Sequence, residues 1–377
     1  MKCFRNVRAY IEGKGIIEGS LTFDETIRDT AHAAGEEIIL PSGALVLPGF
    51  LDPHIHGAGG CDAMDGTKGS LDTIGATLAA EGTTGFLATT MTQSEEAILR
   101  ALTAVREYRG GEGARLLGVH LEGPFLSPAY AGAQPAEYLV PPDTALFDRY
   151  QAASGGKIRI VTVAPELAAA RGFIRHLSDT GVVPSLGHSA ATAEDVLGAI
   201  SCGARSVTHT FNAQSPFKHR EIGLAGSALL RDELNCEIIA DGIHVTFDAI
   251  RLLVKNKPAD KITLITDAMR AKGCPDGESE LGGQKVYVRD GQARLADGTL
   301  AGSVLKMNIA VRNMVKEVGV PLPTAVDFAT KNTAALLGIS DMYGSIAPGK
   351  RADFTVLDED FRVLLTVVGG RQVFRLA

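Results

Sequence analysis

The sequence lacks any cysteine pattern that would suggest crosslinks or metal ligation by sulfur. Its 377 residues include five cysteines, which lie far apart and form no Cys-x-x-Cys pair. This excludes a disulfide framework and a cysteine zinc site. A reducing, cytoplasmic location is the simplest expectation.

Long apolar runs and basic clusters are also missing. No stretch approaches the ~18 apolar residues of a membrane span, and residues 1–20 contain no apolar signal-peptide core. The formal net charge is −7, and no lysine or arginine run offers a surface for nucleic-acid phosphates. We therefore expect no membrane and no nucleic-acid partner.

Two common catalytic signatures are absent as well. The sequence contains neither the Gly-x-Ser-x-Gly segment of a serine hydrolase nor the Gly-x-x-x-x-Gly-Lys-[Ser/Thr] loop that binds nucleotide phosphates. Nucleophilic serine chemistry and phosphate-loop chemistry are therefore disfavoured.

What is present is a repeated alternation of apolar, β-rich runs with longer helical stretches. Since runs such as KIRIVTV are apolar on both faces, they suit parallel strands covered by helices. The pattern predicts an α/β fold, a (β/α)8 TIM-like barrel over residues 49–346. The candidate strands are Gly49–His54, Thr84–Thr89, Leu116–Glu122, Ile158–Ala164, Val182–His188, Ser206–Asn212, Cys236–Ile243 and Lys261–Asp267.

The two chain ends have a different pattern. Residues 1–48 and 347–377 consist of short alternating segments with glycine turns and show no helical periodicity. Because neither end alone could form a stable core, we predict that they pair into one small β-sandwich domain beside the barrel.

The stretch LVLPGFLDPHIHGAGG holds the first candidate ligands. His54 and His56 follow an apolar run, and alternate residues of a strand point to the same face, so the two imidazoles would leave it side by side. Such a pair can chelate a divalent ion, although one histidine could equally be a satisfied core residue.

Further polar residues follow later strands. They are Glu122, His188, His209 and Asp267, at the carboxyl ends of predicted strands three, five, six and eight. Singly, each has an ordinary explanation, such as a helix cap or a buried hydrogen-bonded histidine. Together they lie at the end of a barrel where active sites are built.

This set predicts metal-assisted hydrolysis of an amide or a related bond. The histidines and Glu122 suffice for one or two divalent ions, with positions left for water and substrate. Asp267 can take a proton from water and deliver it to a leaving group. Zinc is the first expectation, and iron, manganese and cobalt suit the same ligands.

Several segments resemble the amidohydrolase superfamily and, within it, the family of N-acetylglucosamine-6-phosphate deacetylases. They are PGFLDPHIHG, HLEGPFLSP, SLGHS, THTFNA, REIGLAG, IIADGIHV, LITDA and GTLAGS, in the order that the family shows. The resemblance implies hydrolysis of the acetamide of a phosphorylated amino sugar. It also implies a principal metal on Glu122, His188 and His209, and a second metal position at His54 and His56.

The resemblance implies a substrate site and a homodimer too. Arg220 would reach the phosphate bound in the neighbouring active site, and Gln134 stands where some members carry a histidine that polarises the acetyl group. A carboxamide can donate a hydrogen bond there but supplies no positive charge. The other substrate-binding residues so implied are Ala133, Asn212, Ala213, His244, Leu300, Ala301 and Gly302.

Three other functions stay open. The first keeps the reaction but changes the sugar to N-acetylgalactosamine 6-phosphate. The second is another cyclic-amide amidohydrolase, against which strand four, KIRIVTVAPE, carries no lysine at its end. The third is a non-catalytic assembly protein, which would have no need to retain every ligand.

Overall fold

The computed structural model describes residues 1–28 and 35–376. The strands are β1 Lys2–Ile11, β2 Gly15–Phe23, β3 Glu36–Glu37, β4 Leu45–Pro48, β5 Phe50–Ile55, β6 Gly57–Ala58, β7 Cys61–Asp62, β8 Thr83–Thr89, β9 Arg115–Glu122, β10 Ile158–Val163, β11 Val183–Leu186, β12 Ser206–Val207, β13 Asn235–Ile239, β14 Ile262–Ile265, β15 Gly277–Leu281, β16 Gln284–Arg289, β17 Gln292–Leu295, β18 Leu300–Ser303, β19 Phe354–Leu357, β20 Val363–Val368 and β21 Arg371–Arg375. The helices are α1 Lys68–Ala79, α2 Glu95–Glu107, α3 Thr144–Ala153, α4 Ala170–Asp179, α5 Ala193–Ser201, α6 Gly223–Leu230, α7 Phe247–Asn256, α8 Met307–Asn313, α9 Leu322–Phe328 and α10 Lys331–Leu336.

Eight parallel strands form the predicted barrel. Their order is β5-β8-β9-β10-β11-β12-β13-β14, and hydrogen bonds between the end of β5 and the segment after β14 close the ring. The Asp267 N–H donates to the His54 carbonyl at 2.8 Å, and the His56 N–H donates to the Ala268 carbonyl at 2.9 Å. The barrel expected from the sequence is confirmed.

The covering helices have the amphipathic faces that this position requires. In α2, the apolar residues Ile98, Ala101, Leu102 and Val105 recur at helical spacing and are buried against the barrel. The helix begins after Ser94, whose hydroxyl accepts a hydrogen bond from a backbone N–H of the first turn. Sequence spacing and local capping therefore agree with the tertiary position.

The chain ends pair beside the barrel. Strands from both ends join in one continuous sheet of order β2-β1-β4-β19-β20-β21, with β3 beside β1. Three aromatic rings distant in sequence pack in its core: Phe23 lies 5.0 Å from both Phe4 and Phe354, between ring centroids. The two ends thus share one sheet, as expected from the sequence, while their folding as a separate β-sandwich domain stays a prediction.

A four-stranded antiparallel meander, β15-β16-β17-β18, is inserted after β14 and was not predicted. It is tied to the segment after β14, because Ser303 donates its N–H to the Asp267 carbonyl at 2.8 Å and accepts from the Met269 N–H at 2.9 Å. The meander therefore lies against the end of the barrel that carries Asp267.

Within residues 1–28 and 35–376, no helix is both long and apolar enough to cross a lipid bilayer.

Candidate functional site

The residues singled out at the strand ends come together at one end of the barrel. Three groups of candidate ligand atoms are formed there among the described residues. Two contain the predicted ligands, Glu122 with His188 and His209, and His54 with His56 and Asp267, and the third joins His54 to His120 and Glu237. Every member of these groups is at most 8% exposed. Buried polar side chains need hydrogen-bond or metal partners. Within each group, the ligand atoms lie within 4.8 Å of one another.

The first group has the dimensions of a metal site. The Nε2 atoms of His188 and His209 lie 3.0 Å apart. Each of them lies close to Glu122 Oε1, at 3.3 Å and 3.1 Å respectively. A central ion with bonds of about 2.0–2.1 Å would separate neighbouring ligands by roughly 3.0–3.4 Å, so the observed spacing fits.

The orientation of His188 also suits a cation. Its Nδ1 lies 2.9 Å from the Tyr130 carbonyl, which can only accept, so Nδ1 carries the hydrogen and Nε2 presents a lone pair. Another imidazole nitrogen and a carboxylate oxygen face that lone pair at close range. A positive charge between these three atoms is the arrangement that removes their mutual repulsion.

The second group lies against the first through Glu122. The Nε2 atoms of His54 and His56 lie 3.4 Å and 3.3 Å from Asp267 Oδ1. They also lie 3.5 Å and 3.2 Å from the two carboxylate oxygens of Glu122. Glu122 thus stands between the two groups, and its two carboxylate oxygens face His54 and His56 respectively.

The electrostatics of the cluster keep its carboxylates ionised. Burial by itself would raise the pKa values of Glu122 and Asp267, but the surrounding histidines outweigh it. The pKa of Glu122 is held well below its usual range, and that of Asp267 falls to about 2. Burial likewise disfavours charge on His56, yet Asp267 and Glu122 raise its pKa to about 9. The site strongly favours positive charge.

Gln134 contacts the cluster through Glu122. Its amide Nε2 donates to Glu122 Oε2 at 2.9 Å, and its Oε1 accepts from the Thr92 N–H at 2.8 Å. These two bonds fix which end of the amide faces the site, leaving one amide hydrogen unassigned.

A cavity of about 350 Å³ opens onto the cluster. Many of the residues proposed to bind substrate line it: Ala133, Gln134, Asn212, Ala213, His244, Leu300 and Gly302. Ala301 does not, because its side chain packs in the apolar core of the meander. Arg220 is exposed and does not line the cavity of its own chain.

His244 faces the cavity in a fixed orientation. Its Nδ1 lies 2.6 Å from Asp241 Oδ2, while Asp241 Oδ1 accepts from the His244 N–H at 2.8 Å. Burial opposes charge on the ring, but Asp241 overcomes it and raises the pKa of His244. Asp241 thus favours the protonated form of a ring that lines the cavity.

Sequence reasoning missed three buried polar residues beneath the ligands. Glu237 lies 3.0 Å from His54 Nδ1, His120 donates to or accepts from Thr162 at 2.7 Å, and Asp52 accepts from Thr266 at 2.5 Å. All three are fully buried inside strands that otherwise read as apolar. A polar residue inside such a run was the available signal, since charged side chains are seldom fully buried without a partner.

Known proteins share this architecture over nearly the whole chain. The sequence profile of the Amidohydrolase family matches residues 45–373. The N-acetylglucosamine-6-phosphate deacetylase of Bacillus subtilis (strain 168) is 44% identical over 365 residues, which cover 96% of this chain and 92% of that protein. The N-acetylgalactosamine-6-phosphate deacetylase of Escherichia coli O157:H7 is 40% identical over 87% of each chain. The crystal structure of N-acetylglucosamine-6-phosphate deacetylase from Pasteurella multocida superposes with a TM-score of 0.92 at 32% identity, covering 98% of this chain and 99% of that one.

Proposed function

Because the chain belongs to the amidohydrolase family, we propose that it hydrolyses N-acetylglucosamine 6-phosphate to glucosamine 6-phosphate and acetate. The observation that carries this proposal is the convergence of both ligand groups at the floor of one cavity. Relatives named for this reaction, at 37–44% identity over most of the chain, support the substrate. We place the reaction in the cytoplasm.

The chain's ligand atoms define where metal would bind. Glu122, His188 and His209 would hold the principal ion, and His54 and His56 a second one beside it. Zinc is the first expectation for histidine and carboxylate ligands, with iron, manganese and cobalt as alternatives. A divalent ion bound to these residues would supply Lewis-acid chemistry for the acyl oxygen and for the attacking water.

Asp267 would move the proton. Its carboxylate is ionised at neutral pH and lies at the cavity wall, so it can accept a proton from the attacking water. The same group would then deliver that proton to the sugar nitrogen as the bond between carbon and nitrogen breaks. Water thus supplies a hydroxyl group to the acyl carbon and one proton to the amine. The acetic acid so formed ionises to acetate by releasing its proton to the solvent, and Asp267 returns to its ionised form.

Gln134 would assist at the acyl oxygen. Since Thr92 and Glu122 hold the amide plane, its remaining N–H has a fixed direction along the cavity wall. A preorganised neutral donor stabilises developing negative charge without reorganisation.

The phosphate would be bound at the outer part of the cavity. His244, whose pKa is raised by Asp241, would donate a hydrogen bond there, and Leu300 and Gly302 would offer backbone groups. We assign the remaining charge to Arg220 of a second subunit in a homodimer, because Arg220 is exposed and absent from the cavity of its own chain. A guanidinium suits a phosphate by bidentate hydrogen bonding.

The galactosamine epimer is the second candidate substrate. The relative from Escherichia coli O157:H7 that is named for it matches this chain nearly as well as the glucosamine enzymes do. The epimers differ at one hydroxyl, so a few contacts in the cavity decide between them.

A side-by-side assay tests the assignment. Acetate release is measured with the 6-phosphates of N-acetylglucosamine and N-acetylgalactosamine, and with unphosphorylated N-acetylglucosamine. We expect the largest kcat/KM for N-acetylglucosamine 6-phosphate. A larger kcat/KM for N-acetylgalactosamine 6-phosphate would identify that sugar as the substrate. Equal kcat/KM values for phosphorylated and unphosphorylated N-acetylglucosamine would rule out a phosphate-binding site.

A further inference from the structure

Glu237 has a position that the reaction described above does not use. It lies on β13, is fully buried, and is directed into the barrel beneath the ligands. Its Oε2 atom faces two ligand residues at once, because it lies 3.0 Å from His54 Nδ1 and accepts from the His209 N–H at 3.2 Å. One carboxylate oxygen therefore connects the two ligand groups.

The contact decides which nitrogen of His54 is available. An ionised carboxylate only accepts, so the neutral His54 ring places its hydrogen on Nδ1 and its lone pair on Nε2. The Nε2 atom is fully buried and makes no hydrogen bond to any described residue. It lies between Glu122 and Asp267, which is where a ligand to an ion must be directed.

His54 is distinguished from the other ligand histidines by this partner. The outward nitrogen of His188 faces a backbone carbonyl, and those of His56 and His209 make no hydrogen bond to any described residue. The ion pairs among the described residues give Glu237 one partner, which is His54. A carboxylate behind a ligand imidazole fixes the ring and makes it a stronger donor, and removing such partners weakens metal affinity by about 10–100-fold.

We propose that Glu237 is a positioning residue that allows His54 and His56 to hold the second ion. It acts by fixing the His54 ring with Nε2 toward the site. The hydrogen bond that Glu237 accepts from the His209 backbone N–H keeps the His54 ring aligned with the first group. The inference rests on the proposed function only in that both ligand groups take ions.

The experiment measures zinc binding rather than activity. Purified wild-type protein, Glu237→Ala and Glu237→Gln are dialysed against zinc buffers of graded free concentration, and zinc per chain is determined at each. We expect two binding steps for wild type. Glu237→Ala should keep the first and weaken the second by about 10–100-fold. Glu237→Gln should lie between, because its amide oxygen still accepts from Nδ1 but lacks the charge.

A matched control removes a buried carboxylate elsewhere. Asp353 lies in the terminal sheet region, is 7% exposed, and accepts from the Gly369 N–H at 2.6 Å. Asp353→Asn should leave both zinc steps unchanged, and melting temperatures report any loss of folding. The inference is overturned if wild type binds one ion only, if both Glu237 variants bind zinc as wild type does, or if both steps weaken equally. Zinc behaviour as expected without acetate release by wild type would instead refute the proposed function.

Discussion

Asp267 is held more firmly than a surface acid could be. Its backbone adopts a left-handed conformation, with φ 49°, between hydrogen bonds to the His54 carbonyl and from the Ser303 N–H. A non-glycine residue in this region is strained and persists only where its surroundings impose it. The result is a carboxylate fixed at 3.3 Å from His56 Nε2.

Replacing Asp267 by Asn should therefore abolish proton transfer while leaving the cavity intact. We expect kcat for acetate release to fall by about 10²–10⁴-fold, the usual contribution of general acid–base catalysis, with a much smaller change in KM. The first ligand group does not include Asp267, so at least one ion per chain should remain. Steady-state kinetics with elemental analysis checks both. Turnover by this variant at the wild-type rate would show that Asp267 is not the proton-transfer group.

At the level of single residues, the sequence predicted those that stand at strand ends and missed those inside strands. His188 and His209 were found because each follows an apolar run. Glu237 was missed because only the folded barrel brings it to His54, 183 residues away in sequence. Pattern alone places a residue on an element but does not specify its partner on another.

The meander β15-β16-β17-β18 shapes the cavity from outside the barrel. Leu281, Thr299 and Leu300 contribute to the cavity wall, and Gly302 follows in β18 with φ 64°. A Cβ added at Gly302 would lie 3.1 Å from the Asp267 carbonyl oxygen and 3.2 Å from Met269 Cβ. The meander and Asp267 are thus in direct contact.

Gly302→Ala should lower kcat because the new methyl group displaces Asp267. A shift of a few tenths of an ångström should cost about tenfold in turnover, given that about 1 Å can cost 10²-fold. Gly298→Ala is the matched control, since Gly298 has φ 89° and its added Cβ would meet nothing within 4 Å. Both variants place an alanine in the left-handed backbone conformation, which should lower the free energy of unfolding by roughly 1–2 kcal/mol. Equal kcat values for the two would disprove the contact mechanism.

The elements themselves were predictable to different extents. The eight barrel strands follow from their apolar runs, but β11 and β12 end earlier than expected, at Leu186 and Val207. They end because His188 and His209 leave the extended conformation, with φ 47° and 31°. The meander was missed although its turns carried a signal, since Gly282-Gly283 and Asp290-Gly291 are typical two-residue hairpin turns.

For the whole molecule, the proposed homodimer makes each active site depend on two chains. Within one chain, His244 lines the cavity, whereas Arg220 is exposed and lies outside it. A site completed by a neighbour predicts complementation between a variant with weakened phosphate binding and a variant without the proton-transfer group, measured at substrate concentrations well below the raised KM of the first. Complementation would distinguish a dimer whose active sites are shared between subunits from a dimer in which each subunit has a complete active site.

Mixing Arg220→Ala with Asp267→Asn subunits tests that arrangement. Arg220→Ala alone should raise KM for the phosphorylated substrate and leave unphosphorylated N-acetylglucosamine almost unaffected. After random exchange, half of the dimers would be mixed, each with one complete site, so about a quarter of wild-type activity should return. No recovery despite demonstrated exchange would show that Arg220 does not act across the interface.

The pairing of the chain ends is the whole-molecule feature that the sequence predicted best. The described parts of residues 1–48 and 347–377 share one apolar core, and β4 pairs with β19 to join them into one sheet. Register could not be predicted, because alternation specifies which face is buried but not which strand lies opposite.

The central claim is that this barrel uses bound metal to remove an acetyl group from a sugar phosphate. The most direct test is acetate release from N-acetylglucosamine 6-phosphate by the purified protein, with metal content determined on the same sample before and after chelation. The account predicts rapid release by metal-loaded protein, loss of release with chelation, and recovery when zinc is restored. A fully metal-loaded protein that released no acetate from either amino-sugar epimer would contradict it.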